Sequence, residues 1–185
     1  MNHNVKVAGF GGQGVMMFGQ VLAYSATLDD INGLWFPSYG PETRGGTANC
    51  SVIVSDKQIN SPTFKFADQL VVFNLPSLEK FRKNVVEGGL ILYNSSLIHD
   101  EVKEDGRVVV GVPVNEIAVE IGNEKVSNMV MMGAFLELTH MFSDATIKAI
   151  IKKFLGTRKA HLLDVNIEAI QKGKDYIKEL GITYA

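Results

Sequence analysis

The sequence predicts a three-layer α/β fold, in which helices lie on both faces of a mostly parallel β-sheet. Short apolar runs of the kind found in buried strands occur at residues 5–9, 69–74 and 90–94, and segments with helical spacing lie between them. Alternation of strands and helices is typical of a parallel sheet. Because no linker, repeat or low-complexity stretch divides the chain, residues 1–185 are expected to form one domain.

The N-terminal third is predicted to supply a strand, a helix and two further strands. The first strand covers residues 5–9, and apolar residues at helical spacing predict a helix over 15–28. A short second strand over 34–36 is expected to stop at Pro37, because proline cannot donate to a strand ladder. The strand at 49–54 is expected to be antiparallel or to lie at a sheet edge.

The middle of the chain is predicted to contribute the buried strands 69–74 and 90–94 and one more strand at 107–112. A helix over 76–86 separates the first two, since proline at residue 76 is compatible with a first helical turn.

The last third of the chain is predicted to be helical. Helices are expected at 115–121, 127–142 and 164–180, and Ser143 is expected to cap another that ends before Gly156. Helix 127–142 is apolar on nearly all sides, so it is expected to be buried. Burial in the core of the domain and burial under a partner protein both remain open.

Composition excludes several classes of function. A net charge of −2 gives no basic surface for nucleic acid, and no apolar run reaches the roughly 20 residues that span a bilayer. The first residues do not have the pattern of a secretory signal, so a cytoplasmic location is expected. Cys50 is the only cysteine and is expected to be a buried, inert thiol. The four histidines lack metal-ligand spacing, so no metal is expected on this chain.

A glycine-rich turn follows the first predicted strand, with the sequence Gly-Phe-Gly-Gly-Gln-Gly at residues 9–14. It meets the minimal dinucleotide fingerprint, in which glycines allow a tight turn and let a phosphate approach the start of a helix. The fingerprint also needs an acidic residue at the end of the second strand. Asp29 and Asp30 precede that strand instead, so the NAD interpretation fails this test. Gln13 is expected either to contact a ligand or to close the turn on itself.

A second polar loop follows the second predicted strand, with the sequence Ser-Tyr-Gly-Pro-Glu-Thr-Arg-Gly-Gly at residues 38–46. Pro41 stiffens this loop, and the planar guanidinium of Arg44 suits a carboxylate or a phosphate. A pair between Arg44 and Glu42 is the alternative. Both loops are expected at the carboxyl edge of the sheet, where ligands of such folds bind.

Together the two loops resemble those of the gamma subunit of 2-oxoacid:ferredoxin oxidoreductases, which has a Rossmann-like fold. The resemblance covers nearly the whole chain, including residues 128–134 and 166–170. The chain departs from many members at Thr43, where they carry alanine or methionine.

The resemblance implies a subunit that is not active alone. The complex would oxidatively decarboxylate a 2-oxoacid, pass the acyl group to coenzyme A and reduce ferredoxin, as part of anaerobic metabolism. Thiamine diphosphate and Mg²⁺ would lie between alpha and beta subunits, and [4Fe–4S] clusters on beta or delta subunits. This chain would bind no cofactor alone. The form of the second loop resembles the 2-oxoglutarate and branched-chain types; 2-oxoglutarate is the favoured substrate, and pyruvate stays an alternative.

The resemblance also implies that this chain shapes the subunit interface and the entrance for coenzyme A. No catalytic residue is expected here, because the thiamine ylid is the nucleophile. Asn128 is expected either to cap its helix or to face the shared site. Alternatives are a stand-alone nucleotide-binding Rossmann protein and a pure scaffold, and the isolated chain could form a homodimer. The residues predicted to contact a cofactor or a partner are Gly11, Gly12, Gln13, Gly14, Ser38, Tyr39, Gly40, Pro41, Glu42, Arg44, Gly45, Gly46 and Asn128.

Overall fold

The computed structural model describes residues 1–39 and 47–184. The strands in these residues are β1 (Asn2–Phe10), β2 (Asn32–Tyr39), β3 (Thr47–Ser55), β4 (Ala67–Val72), β5 (Val85–Asn94) and β6 (Val108–Val112). The α-helices are α1 (Val15–Leu28), α2 (Leu75–Phe81), α3 (Val114–Ile121), α4 (Ser127–Thr139), α5 (Asp144–Leu155) and α6 (Leu163–Leu180). None of the described helices combines the length and the apolar character that crossing a membrane requires.

The strands form one six-stranded mixed sheet in the order β2-β3-β1-β4-β5-β6. β3 is antiparallel to both of its neighbours, whereas β1, β4, β5 and β6 pair in parallel. β2 therefore runs in the same direction as β1. The structure confirms the predicted α/β class with a mostly parallel sheet. It also confirms that β3 is antiparallel, but the edge position is wrong, because β2 lies outside it.

Helices cover the two faces of the sheet unequally. The larger core joins one face of the sheet to α1, α3, α4, α5 and α6, with fully buried residues such as Val7, Phe18 and Phe135. The smaller core packs Leu78 of α2 against Leu70 and neighbouring strand residues on the other face. One face is thus covered by five helices and the other by one short helix with its adjoining segments.

Several predicted elements end at different residues in the structure, among them β2 and α2. β2 continues through Pro37 to Tyr39, because an edge strand tolerates a proline whose missing N–H is not needed by a neighbour. Helix α2 ends at Phe81 instead of continuing to residue 86. A short 3₁₀ turn follows, and Val85 then pairs with Ala67 as the start of β5.

Helix α4 is buried within this chain, which confirms the core alternative for this helix. It ends at Thr139, three residues earlier than predicted, where His140 takes a left-handed conformation with φ 50°. The next helix begins as predicted, since the Ser143 hydroxyl accepts a hydrogen bond from the Thr146 N–H at 3.2 Å. The long apolar helix is therefore a structural element of the domain core.

Helices α4 and α6 are in direct backbone contact at two glycines. A Cβ atom at Gly133 would lie 1.9 Å from the carbonyl oxygen of Ile170, and one at Gly173 would lie 2.0 Å from that of Val130. Both distances are far shorter than any real contact, so only glycine fits at either position. This crossing holds α6 against the buried helix.

Candidate functional site

The first glycine turn joins β1 to α1 at the carboxyl edge of the sheet. Gly14 is the N-cap residue of α1 and has a left-handed conformation, with φ 77°. No side chain makes a capping hydrogen bond to this end of the helix. The first backbone N–H groups of α1 lack intrahelical acceptors, as at every helix start, so this end carries the partial positive charge that attracts anions.

Gln13 closes the glycine turn on itself. Its side-chain Oε1 atom accepts a hydrogen bond from the Phe10 N–H at 2.6 Å, and its backbone N–H donates to the Phe10 carbonyl at 3.3 Å. A longer contact of 3.5 Å joins the same Oε1 atom to the amide of Asn74. Of the two expectations for Gln13, the structure shows the internal one, in which the side chain fixes the shape of the turn.

The glycines of this turn differ in what surrounds them. A Cβ atom at Gly9 would lie 2.7 Å from Gln13 Oε1, and one at Gly14 would lie 2.3 Å from Asn128 Nδ2. Gly11 and Gly12 are exposed and have open space where a Cβ would point. Gly12 still needs glycine for its φ of 89°, but Gly11 does not have a positive φ. Within residues 1–39 and 47–184, neither packing nor backbone conformation explains the glycine at Gly11.

Asn128 lies over the glycine turn instead of capping its own helix. Its Nδ2 atom donates to the Gly14 carbonyl at 3.4 Å, and only 5% of the residue is exposed. Helix α4 has Val126 at its N-cap position and no side-chain capping bond, so the capping alternative is wrong. Asn128 is thereby grouped with the predicted turn residues, although its assignment to a shared active site stays a prediction.

The described ends of the second loop lie at the same edge of the sheet. Tyr39 and Gly9 both pair with Ala48 of β3, one from each side, so their backbones are roughly 10 Å apart. Ser38 is exposed, and Tyr39 is 71% exposed. The other predicted residues of this loop, which lie outside the described residues, are Gly40, Pro41, Glu42, Arg44, Gly45 and Gly46.

The acidic residues near β2 are far from the glycine turn. Asp29 is the C-cap residue of α1 and accepts a hydrogen bond from the Thr146 hydroxyl at 2.8 Å. Asp30 follows it in the turn before β2. Because β2 runs parallel to β1, both carboxylates lie at the amino edge of the sheet, opposite the glycine turn. They cannot hold a ribose beside that turn.

A group of buried polar side chains at the carboxyl ends of β4 and β5 escaped the sequence analysis. Asn94 is fully buried and donates to the Phe73 carbonyl at 3.3 Å and to Asn115 Oδ1 at 3.1 Å. The Ser96 hydroxyl donates to the Glu116 carboxylate. The available signal was an asparagine at the end of each apolar strand, at Asn74 and Asn94. Asn94 and Ser96 are buried, whereas their partners Asn115 and Glu116 are exposed near the start of α3.

The described residues do not fit a metal ion or an iron–sulfur cluster. They contain no group of three or more histidine, cysteine, aspartate or glutamate side chains that could hold a metal. An all-cysteine cluster needs several thiolates, whereas this chain has one cysteine.

Cys50 is expected to be unreactive in the folded chain. Burial raises the pKa of its thiol to about 12, because the thiolate would lose its solvation. Labelling by a disulfide reagent at about pH 8 should be at least a hundredfold slower in the folded chain than in urea. Rapid stoichiometric labelling of the folded chain would contradict this. Stability should fall above about pH 9, since the unfolded thiol then loses its proton first.

The mixed sheet, the glycine turn between β1 and α1, and the second loop that opens at the same edge define a Rossmann-like domain. Residues 4–176 match the family described as pyruvate ferredoxin/flavodoxin oxidoreductase. The chain belongs to this family, as a gamma-type subunit of the 2-oxoacid:ferredoxin oxidoreductases.

Two relatives illustrate the range of named substrates. The ketoisovalerate oxidoreductase subunit VorA of Methanothermobacter marburgensis is 39% identical over 177 residues, which cover 95% of this chain and 36% of that protein. The 2-oxoglutarate synthase subunit KorC of Methanocaldococcus jannaschii is 34% identical over 185 residues, covering 97% of this chain and 96% of that protein. The chain thus spans about a third of the VorA relative.

Solved structures share the fold. The gamma subunit of a keto/oxoacid ferredoxin oxidoreductase from Geobacter sulfurreducens PCA superposes with a TM-score of 0.81 at 26% identity, covering 97% of this chain and 99% of that chain. A 2-oxoglutarate:ferredoxin oxidoreductase from Magnetococcus marinus, with 2-oxoglutarate, coenzyme A and succinyl-CoA bound, has a TM-score of 0.88 at 24% identity. It covers all of this chain and 32% of that one, and it shows the fold alone.

Proposed function

We propose that this chain is a subunit of a thiamine diphosphate-dependent 2-oxoacid:ferredoxin oxidoreductase. The complex oxidatively decarboxylates a 2-oxoacid to an acyl-CoA and reduces ferredoxin. The role of this chain is to form an interface with alpha and beta subunits, with or without a delta subunit, and to shape the entrance for coenzyme A. Membership in the family supports the reaction, and the form of the glycine turn supports the role. Thiamine diphosphate supplies the nucleophile when bound to the partner subunits.

The observation that carries this role is the open space at Gly11. The turn is fixed internally by Gln13 and Asn128, so it does not need a ligand to hold its shape. Its outer face nevertheless presents two exposed glycines, and Gly11 needs to be glycine only if something other than the described residues comes close, which on this proposal is a partner subunit or coenzyme A. Tyr39, largely exposed at the same edge, offers an aromatic surface of the kind enriched at interfaces.

The proposed substrate is 2-oxoglutarate, and a branched-chain 2-oxoacid is the second candidate. The form of the second loop suits both candidates. The KorC relative, which this chain matches over nearly its whole length, favours the first, and the higher identity to the ketoisovalerate relative favours the second. Ferredoxin reduction by the assembled complex, measured with 2-oxoglutarate, ketoisovalerate and pyruvate at matched concentrations, tests the choice. Equal or greater activity with either alternative would reject 2-oxoglutarate as the main substrate.

A bulky side chain at Gly11 is expected to impair the complex without unfolding the chain. Gly11→Leu should change the free energy of unfolding by less than about 0.5 kcal/mol, because the added atoms enter open space. In the assembled complex, the same change should lower kcat/KM for coenzyme A by at least about tenfold, or weaken subunit assembly, because it blocks the close approach.

Lys172→Leu, at an exposed position of α6, is the matched control for adding a large apolar side chain to the surface. Native gel analysis separates assembly loss from loss of turnover. If Gly11→Leu left both assembly and turnover at the level of the control, the turn would not be a contact surface.

The competing hypothesis is a stand-alone nucleotide-binding protein, and the geometry weighs against it. Gln13 already occupies the Phe10 N–H, and the acidic residues near β2 lie at the opposite edge of the sheet. Calorimetric titration of the chain with NAD(H), FAD and coenzyme A distinguishes the two hypotheses. Micromolar affinity for NAD(H) or FAD would favour the nucleotide-binding protein, whereas the interface role predicts no such binding by the chain alone.

A further inference from the structure

A cavity of about 180 Å³ lies on the thinly covered face of the sheet, on the side of α2. Its floor lies over Ala67 and Leu70 of β4, which are almost or fully buried, and the half-buried rings of Phe64 and Phe81 line it. Ala67 is the first residue of β4, so the cavity extends toward the amino edge of the sheet, away from the glycine turn. It is therefore separate from the contact surface described above.

The ammonium group of Lys6 lines this cavity and has only neutral partners. Its Nζ atom donates to Ser51 Oγ at 2.7 Å, and a longer contact of 3.4 Å joins it to Asn49 Oδ1. It also lies over two aromatic rings, at 5.2 Å from the centre of Phe81 and 5.5 Å from that of Phe64. A lysine ammonium has three N–H donors, so one remains for a further acceptor.

No carboxylate balances this charge within the described part of the chain. The ion pairs found there do not include Lys6. The titratable groups that act on it are the Cys50 thiol, which is neutral because burial raises its pKa to about 12, and the like-charged Lys80. Burial lowers the pKa of Lys6, because the ammonium is removed from water without gaining a counter-ion. Lys65 lines the same cavity and adds a second positive charge at its exposed rim.

We propose that this cavity binds a small organic carboxylate with an apolar body. The carboxylate would accept a hydrogen bond from the remaining N–H of Lys6 and supply the missing negative charge. The apolar part would contact the rings of Phe64 and Phe81 and lie above the buried Ala67 and Leu70. The cavity corresponds to about six water volumes of roughly 30 Å³ each, which suits a branched carboxylate of about five carbons. Inorganic phosphate lacks the apolar part and would leave the floor uncovered.

The test is an NMR titration of the full chain with isovalerate, using the side-chain Cε signal of Lys6 and the methyl signals of Ala67 and Leu70. These signals should shift together and saturate with a Kd of about 1 mM. Acetate and phosphate should bind at least about tenfold more weakly, because they bury little apolar surface. Neutral isovaleramide, which has the same shape without the charge, should not saturate below about 50 mM.

Variants of Lys6 separate the charge from the fold. Lys6→Met should weaken isovalerate binding at least about tenfold, read from the Ala67 and Leu70 methyl signals, whereas Lys6→Arg and the distant control Lys172→Met should retain binding. Methyl signals outside the cavity report whether each variant is folded. The proposal is overturned if isovaleramide binds as well as isovalerate, if acetate binds equally tightly, or if folded Lys6→Met keeps its affinity. The proposal does not depend on the function of the complex.

Discussion

Replacing Gly133 with alanine is expected to lower the free energy of unfolding by more than about 3 kcal/mol, or to prevent folding. The new Cβ would lie 1.9 Å from the Ile170 carbonyl oxygen, and a backbone atom cannot rotate away as a side chain can. The helices would have to separate along the buried core. In a helix with free space at this position, the same substitution would raise the free energy of unfolding by about 1 kcal/mol. A loss of stability would therefore show that α4 and α6 are in close contact here.

Gly173→Ala is expected to cause a similar loss, because its Cβ would meet the Val130 carbonyl from the opposite helix. Urea unfolding followed by circular dichroism measures both variants. Lys172→Ala, at the exposed neighbouring position of α6, is the control and should stay within about 0.5 kcal/mol of the natural chain. Two glycine variants with undiminished stability would show that α4 and α6 do not meet through their backbones.

Gly14→Ala is expected to cost about 2–4 kcal/mol and to displace the turn before α1. Two independent effects act at this residue. Its φ of 77° strains any residue with a Cβ, and that Cβ would lie 2.3 Å from Asn128 Nδ2. In the assembled complex, a displaced turn should also lower turnover, because the proposed contact surface at Gly11 moves with it.

A double variant separates the two effects at Gly14. Adding Asn128→Ala removes the clashing amide but leaves the backbone strain and an approach of 2.8 Å to the Cβ of residue 128. The clash is therefore relieved in part, and the pair should be less destabilised than the sum of the two single variants. Urea unfolding of the four proteins in this cycle measures the coupling. Gly11→Ala, in the same turn but with open space around it, should unfold like the natural chain. Strict additivity would mean that Asn128 does not lie over Gly14.

Much of the fold could be predicted because its signals are local. The bounds of α1 agree with the prediction, because the helical spacing lies within the helix and the glycine turn comes directly before it. The extent of β2 could not be predicted from Pro37 alone. Proline is tolerated there because β2 is an edge strand, and an edge is a property of the whole sheet.

The candidate site was predictable only in part, because some of its contacts join distant parts of the chain. The hydrogen bond from Asn128 to Gly14 spans 114 residues, and nothing near either residue indicates it. A glutamine within a glycine-rich turn is unusual in the sequence, but the role of Gln13 depends on the turn geometry that brings its Oε1 atom to the Phe10 N–H. The buried partners of Asn94 likewise come from separate elements.

The central position of β1 has a consequence for how the chain refolds. β2 and β3 are consecutive in sequence and pair as a local hairpin, which can form in about 1–10 μs. β1 must instead close long loops to reach β3 on one side and β4 on the other, and loop closure is entropically costly. β1 is therefore expected to be inserted late, and its insertion is expected to limit the folding rate.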